Sequence, residues 1–149
     1  MIKFWAAACL SLSLVCPVTA RPYYNKIYQF RADFPAEVGS SREATLGGQI
    51  FLSRPARYQS YQVEVLDRVH SRVELLELVR HHSGRYTEVE LREEKRQGRP
   101  VTYWSRIDEA GVPGCYLLLA TRRHSYIVSA VGFDLGMQQR FLDSFSIAP

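Results

Sequence analysis

The stretch "TEVELREEKRQGRPVTYWSRIDEAGVPGCYLLLATRRHSYIVSAVGF", Thr87 to Phe133, decides the fold. It holds four candidate strands: Thr87 to Lys95, Val101 to Asp108, Cys115 to Thr121 and Tyr126 to Phe133. Their separators, "RQGRP", "EAGVPG" and "RRHS", are of hairpin length and carry glycine, proline or charge. A parallel crossover needs a dozen or more residues, so four antiparallel strands joined by turns are predicted.

Upstream, Tyr61-Gln62-Val63-Glu64-Val65 alternates as a half-buried strand should. A helix follows, with Ser71 as its cap and Glu74 at capping-box spacing. Val73, Leu76 and Val79, with Leu75 and Leu78, form its apolar face, and Gly84 stands where a left-handed C-terminal cap belongs. Further upstream, Ile27 to Phe34 reads as an extended run closed by Pro35. Arg42 to Leu46 and Gln49 to Ser53, around Gly47-Gly48, have the form of a two-residue hairpin. Downstream, Asp134 can cap a short final helix in which Met137, Phe141 and Phe145 recur every four residues. The expectation is an α+β domain, an antiparallel sheet of about six to eight strands flanked by two helices.

The chain opens with Lys3 and an apolar run from Phe4 to Val15, followed by small residues at Val18 and Ala20. A run of about a dozen apolar residues suits a signal peptide, whereas a membrane span needs about 20. Residues 1–20 are therefore read as a leader cleaved before Arg21, which gives a periplasmic or secreted protein with no transmembrane span after cleavage. Lipidation at Cys9 or Cys16 fits less well, because Val15 is bulky where such a site wants a small residue and Cys9 has too short an apolar run before it. Removing residues 1–20 from the 149 leaves 129 in one domain, residues 21–149, with a loose start over Arg21 to Lys26. Cys115 is then the sole cysteine, so no intramolecular disulfide is expected. Without Lys3, 18 basic residues face 15 acidic ones, too small an excess to argue for nucleic acid.

"FRADFP", "GGQIFLSRPARYQSYQVEVLD", the hairpin series, "RRHSYIVSAVGF" and the closing "FLDSFSI" together resemble the PsbP/DcrB-like family of small exported bacterial proteins. The resemblance covers nearly all of residues 21–149 and carries no catalytic motif. It implies an antiparallel sheet sandwiched by helices and used for binding or assembly.

Catalytic and metal signatures are weak. His70 and His81 stand eleven residues apart, about 16 Å along a helix, and so cannot clasp one ion. His81 and His82 diverge by about 100° and suit the negative end of a helix dipole. Glu88, Glu90 and Glu94 alternate with Val89 and Leu91, as on the polar face of one strand. Cys115 opens the run "CYLLLA" and reads as a small buried hydrophobe, the nucleophile alternative requiring a histidine beside it. No G-x-S-x-G, H-E-x-x-H, P-loop or Cys-x-x-Cys appears. Neither an enzyme, a cofactor nor a metal is expected.

One constellation follows from topology. Two strands separate the loop Lys95-Arg96-Gln97-Gly98-Arg99 from the loop Arg122-Arg123-His124, so tight hairpins place both at one end of the sheet. Lys95, Arg96, Arg99, Arg122, Arg123 and His124 would form a basic pole, with guanidinium forks suited to phosphate or carboxylate. The expected function is a non-enzymatic envelope protein that binds a ligand or partner there, an anionic envelope component or an acidic protein surface. A periplasmic inhibitor or immunity protein that blocks a secreted hydrolase is the alternative.

Overall fold

The computed structural model describes residues 20–42 and 48–149. Ten strands and two helices occur among them: β1 (Arg21–Asn25), β2 (Phe30–Phe34), β3 (Gly39–Ser41), β4 (Gly48–Ser53), β5 (Ser60–Leu66), α1 (Arg72–His82), β6 (Tyr86–Arg96), β7 (Arg99–Asp108), β8 (Pro113–Ala120), β9 (Ser125–Val131), α2 (Leu135–Ser144) and β10 (Ser146–Ile147). A seven-stranded sheet runs in the order β3-β4-β5-β9-β8-β7-β6, and a second sheet of three strands in the order β1-β2-β10. Every pairing is antiparallel. The α+β class and the flanking helices are as expected; the small second sheet is additional.

Both faces of the large sheet are covered, and the sequence of β8 shows why. Leu117 and Leu119 point to one face, Tyr116 and Leu118 to the other, and all four are buried. A strand covered on both sides loses the polar half of its alternation. On the first face, Phe141 and Leu142 of α2 and Phe30, Ala32 and Phe34 of β2 pack over Phe51, Tyr61, Val63, Tyr103 and Val128. On the second, Leu75, Leu76 and Val79 of α1 cover Leu66, Trp104, Tyr116, Leu118 and Ile127. Burying each such side chain contributes roughly 1.5–3 kcal/mol.

The helix termini match the sequence. Ser71 accepts from Glu74 N while Glu74 accepts from Ser71 N, closing the capping box. Gly84 follows α1 at φ +65°, the conformation that glycine adopts without penalty. Asp134 accepts from Met137 N at 2.9 Å and caps α2.

Four expectations are corrected. Residues 21–25 form no loose start: they pair residue for residue with Phe30–Phe34 as β1. The extended run does not begin at Ile27, because Asn25 Oδ1 accepts from Ile27 N and Tyr28 N and so folds residues 26–29 into a turn. Gly48, expected in a two-residue turn, is in the ladder opposite Leu66, and Ser41 opposes Ile50. The segment 43–47 of that expected hairpin lies outside the described residues. Finally, a register shift between Glu88 and Glu90 breaks the expected single polar face of β6. Glu88 turns to the α1 side, where it accepts from Arg80 and Trp104, while Glu90 and Glu94 bond Arg92 on the opposite side.

Candidate functional site

The meander brings the β6–β7 and β8–β9 turns to the same end of the sheet. The first is a two-residue loop, Arg96 opposing Arg99 across Gln97 at φ 50° and Gly98 at φ 72°. In the second, Thr121 Oγ1 accepts from Arg123 N and His124 N, and Thr121 N donates to His124 O at 2.8 Å. That arrangement fixes the backbone and leaves Arg122 and Arg123 exposed.

A cleft of about 520 Å³ opens between these turns. One wall is the β1–β2 turn, with Ile27, Tyr28 and Gln29; the other is Thr121 to His124; Arg99 and the segment 147–149 complete it. The last segment is tied in place by Ile147 N donating to Gln97 Oε1 and Ala148 N donating to Gln29 O. Tyr126 forms the floor, its hydroxyl donating to Tyr28 O at 2.7 Å. Burial pushes the Tyr126 phenol above its ordinary value, and the nearby positive charge of Arg99 partly opposes that rise. The His124 ring meets Tyr28 edge-on at 5.3 Å and Tyr126 at 6.3 Å. Its Nδ1 is buried and has no hydrogen-bond partner among the described residues.

No acidic side chain lines the cleft. Nor does Arg99, Arg122 or Arg123 make an ion pair with any described residue. Three guanidiniums and an imidazole around a recess with aromatic walls can neutralise a phosphate or carboxylate and fix its orientation.

Four of the six residues expected at the basic pole, Arg99, Arg122, Arg123 and His124, therefore share one cleft. Arg96 is engaged elsewhere, donating to Leu142 O at 2.7 Å and pairing with Asp143 and Glu94, which ties β6 to the end of α2. Lys95 opposes Pro100 and, by strand alternation, points to the α1 side, away from Arg96. Tyr28 and Tyr126 are site residues that sequence reasoning missed. The signal for Tyr28 was Asn25, whose side chain builds the turn that presents it.

A second cleft, about 600 Å³, lies beside the start of α1 and is lined by Arg72, Val73, Leu91, Glu93 and Thr102 among others. Its charges satisfy each other, since Arg72 pairs with Glu93 and Thr102 Oγ1 donates to Glu93 Oε1. Cys115 is half-buried, with Sγ 3.4 Å from Gln138 Oε1. Burial pushes its thiol up, the reverse of what an activated nucleophile needs. The His81 and His82 rings meet edge-on at 5.2 Å near the end of α1. Among the described residues no group of three or more His, Cys, Asp or Glu side chains is gathered as a metal site requires. No described helix is long and apolar enough to cross a membrane.

No family model and no curated protein matches this sequence. Among solved structures, cyanobacterial PsbP (CyanoP) from Synechocystis sp. PCC 6803, determined in solution, superposes with a TM-score of 0.67. The match covers 92% of this chain and 97% of that one at 9% sequence identity. A likeness at that identity concerns the fold, which is PsbP-like; the DcrB-like part of the resemblance rests on the sequence motifs alone.

Proposed function

We propose that this chain is a non-enzymatic, exported envelope protein that holds an anionic ligand or partner in the cleft at its basic pole. The observation that carries this reading is the group of guanidiniums of Arg99, Arg122 and Arg123, without ion-pair partners among the described residues, around a recess lined by no acidic side chain. Export is supported by the apolar leader and by β1, which begins at Arg21, so that cleavage before this residue leaves the β1–β2 pairing whole.

The test compares two double charge reversals of equal net charge. Arg122→Glu with Arg123→Glu alters the cleft, whereas Arg54→Glu with Arg57→Glu alters exposed cations elsewhere. Titration with inorganic pyrophosphate, followed by the NMR shifts of the His124 ring, should show saturable binding that the first pair weakens more than tenfold and the second leaves nearly intact. Binding should also weaken as salt rises, since exposed charges are screened. Equal losses from both pairs would reduce the basic pole to general electrostatics and refute the site. Thermal midpoints should be unchanged in both, because exposed charges contribute little to folding.

A further inference from the structure

Ile27 is 81% exposed, the largest fraction among the large apolar side chains described. It stands at the tip of the β1–β2 turn beside the exposed Lys26, and it forms part of the rim of the cationic cleft. The turn is built rigidly. Asn25, buried, accepts from Ile27 N at 3.0 Å and Tyr28 N at 2.9 Å, and Gln29 at φ 53° turns the chain back into β2. Tyr28 O is held by the Tyr126 hydroxyl, and Gln29 O accepts from Ala148 N. An isoleucine held out in water by its own backbone scaffold, on the rim of a cationic cleft lined by no acidic side chain, has the composition of a contact with an anionic interface.

We propose that this pole docks on an anionic lipid surface, with a headgroup phosphate held by Arg122, Arg123 and Arg99 in the cleft and Ile27 inserted among the acyl chains. The inference rests on the anion-binding reading above and adds the apolar tip and the kind of surface. Lipid is favoured over an acidic protein because cations and a fully projecting aliphatic side chain rim the same cleft, and an anionic bilayer offers phosphate and hydrocarbon side by side. Lys26 and the arginines then lie in the headgroup layer, where each cation is attracted by the negative surface potential. An acidic protein surface has no need of an unpaired aliphatic tip at the edge of its salt bridges.

The experiment uses residues 21–149 with vesicles of phosphatidylglycerol in phosphatidylcholine, and with pure phosphatidylcholine, in cosedimentation. Wild type should bind the anionic vesicles and leave the neutral ones. Ile27→Ser, which removes an exposed side chain and should melt like wild type, should weaken vesicle binding about tenfold, as expected for losing part of one apolar insertion, and weaken pyrophosphate binding far less, since pyrophosphate offers nothing apolar for this rim residue to meet. In Ile27→Trp, the added indole fluorescence should shift to the blue on anionic vesicles only. Vesicle binding indifferent to Ile27→Ser with no blue shift, or pyrophosphate binding without vesicle binding, would overturn the lipid inference and leave the anion site standing. The latter outcome would assign the anion to a soluble ligand or an acidic protein. Loss of pyrophosphate binding in wild type would overturn the anion-binding reading itself.

Discussion

A β-carbon at position 48 would lie 2.0 Å from the Val65 carbonyl oxygen, far inside any permitted contact. Gly48 is therefore glycine because two strands close on it. The sequence offered "GG", and a turn was the natural reading, because positive φ and close approach leave the same residue behind. Gly48→Ala should force β4 away from β5 and cost about 2 kcal/mol or more, in the range of severe single-site effects, as measured by urea unfolding. A loss below about 0.5 kcal/mol would mean that the ladder absorbs the methyl group and that the contact is not the reason for the glycine. Arg96 shows a similar limit. Its charge and its place in a turn were legible, but its bonds to Leu142 O and Asp143 bridge 46 and 47 positions of sequence, and no local pattern reports a partner so far away.

Strand β6 lies at the open edge of the large sheet. Its density of charge discourages pairing with another chain, and its bulge between Glu88 and Glu90 adds to that protection. The bulge also defeated strict alternation, since one extra residue moves Glu88 to the α1 side. There Glu88 accepts from Arg80 at 2.6 Å and from Trp104 Nε1 at 2.7 Å, joining the helix, the edge strand and a fully buried indole. These bonds, Arg80 first and Trp104 second, hold the Glu88 carboxyl below its ordinary value. A depressed folded-state pKa contributes stability above the unfolded value, near 4.3, and that stability is lost as pH falls through the folded value. Glu88→Gln should thus cost on the order of 1 kcal/mol at neutral pH, a modest figure because the carboxylate is partly exposed and screened. The difference from wild type should shrink below about pH 4. Denaturant unfolding of both proteins between pH 7 and pH 3 measures it; a constant difference across that range would show that the charge of Glu88 is immaterial.

Taken as a whole, the fold was legible where elements carry their own local signals. α1 has a capping box and a terminal glycine, β7 to β9 have short polar turns between apolar runs, and α2 has Asp134 at its start. Of the three-stranded sheet only β2 was legible, inside the run Ile27 to Phe34, because β1 and β10 are short and are strands mainly through their pairing with it. β1 reads Arg-Pro-Tyr-Tyr-Asn, mostly exposed, and only its pairing with β2 makes it a strand. The same gap hid half of the site. The two basic hairpins could be placed from strand count alone, whereas the wall that faces them, Ile27 to Gln29, is a turn that the sequence reading placed inside a strand.

That dependence makes the start of the chain a test of the whole molecule. Tyr23 of β1 packs its ring edge-on against Phe34 at 5.7 Å and meets Phe30 and Phe51 at 6.0 and 5.8 Å, so β1 closes the aromatic side of the main core. Asn25, the last residue of β1, holds the turn that forms one wall of the cleft. A protein begun at Arg21 should unfold cooperatively, because all five β1–β2 pairs are present. One begun at Lys26 loses those pairs, the Tyr23 contacts and the Asn25 scaffold together, and should be less stable by on the order of 2 kcal/mol. It should also bind pyrophosphate more weakly even where it remains folded, since Tyr28 and Gln29 are then no longer fixed opposite His124. Thermal melts and the His124 titration, run on both proteins, separate the two effects. Unchanged stability would show that β1 is an accessory strand, and unchanged binding would show that the cleft needs only the two basic hairpins.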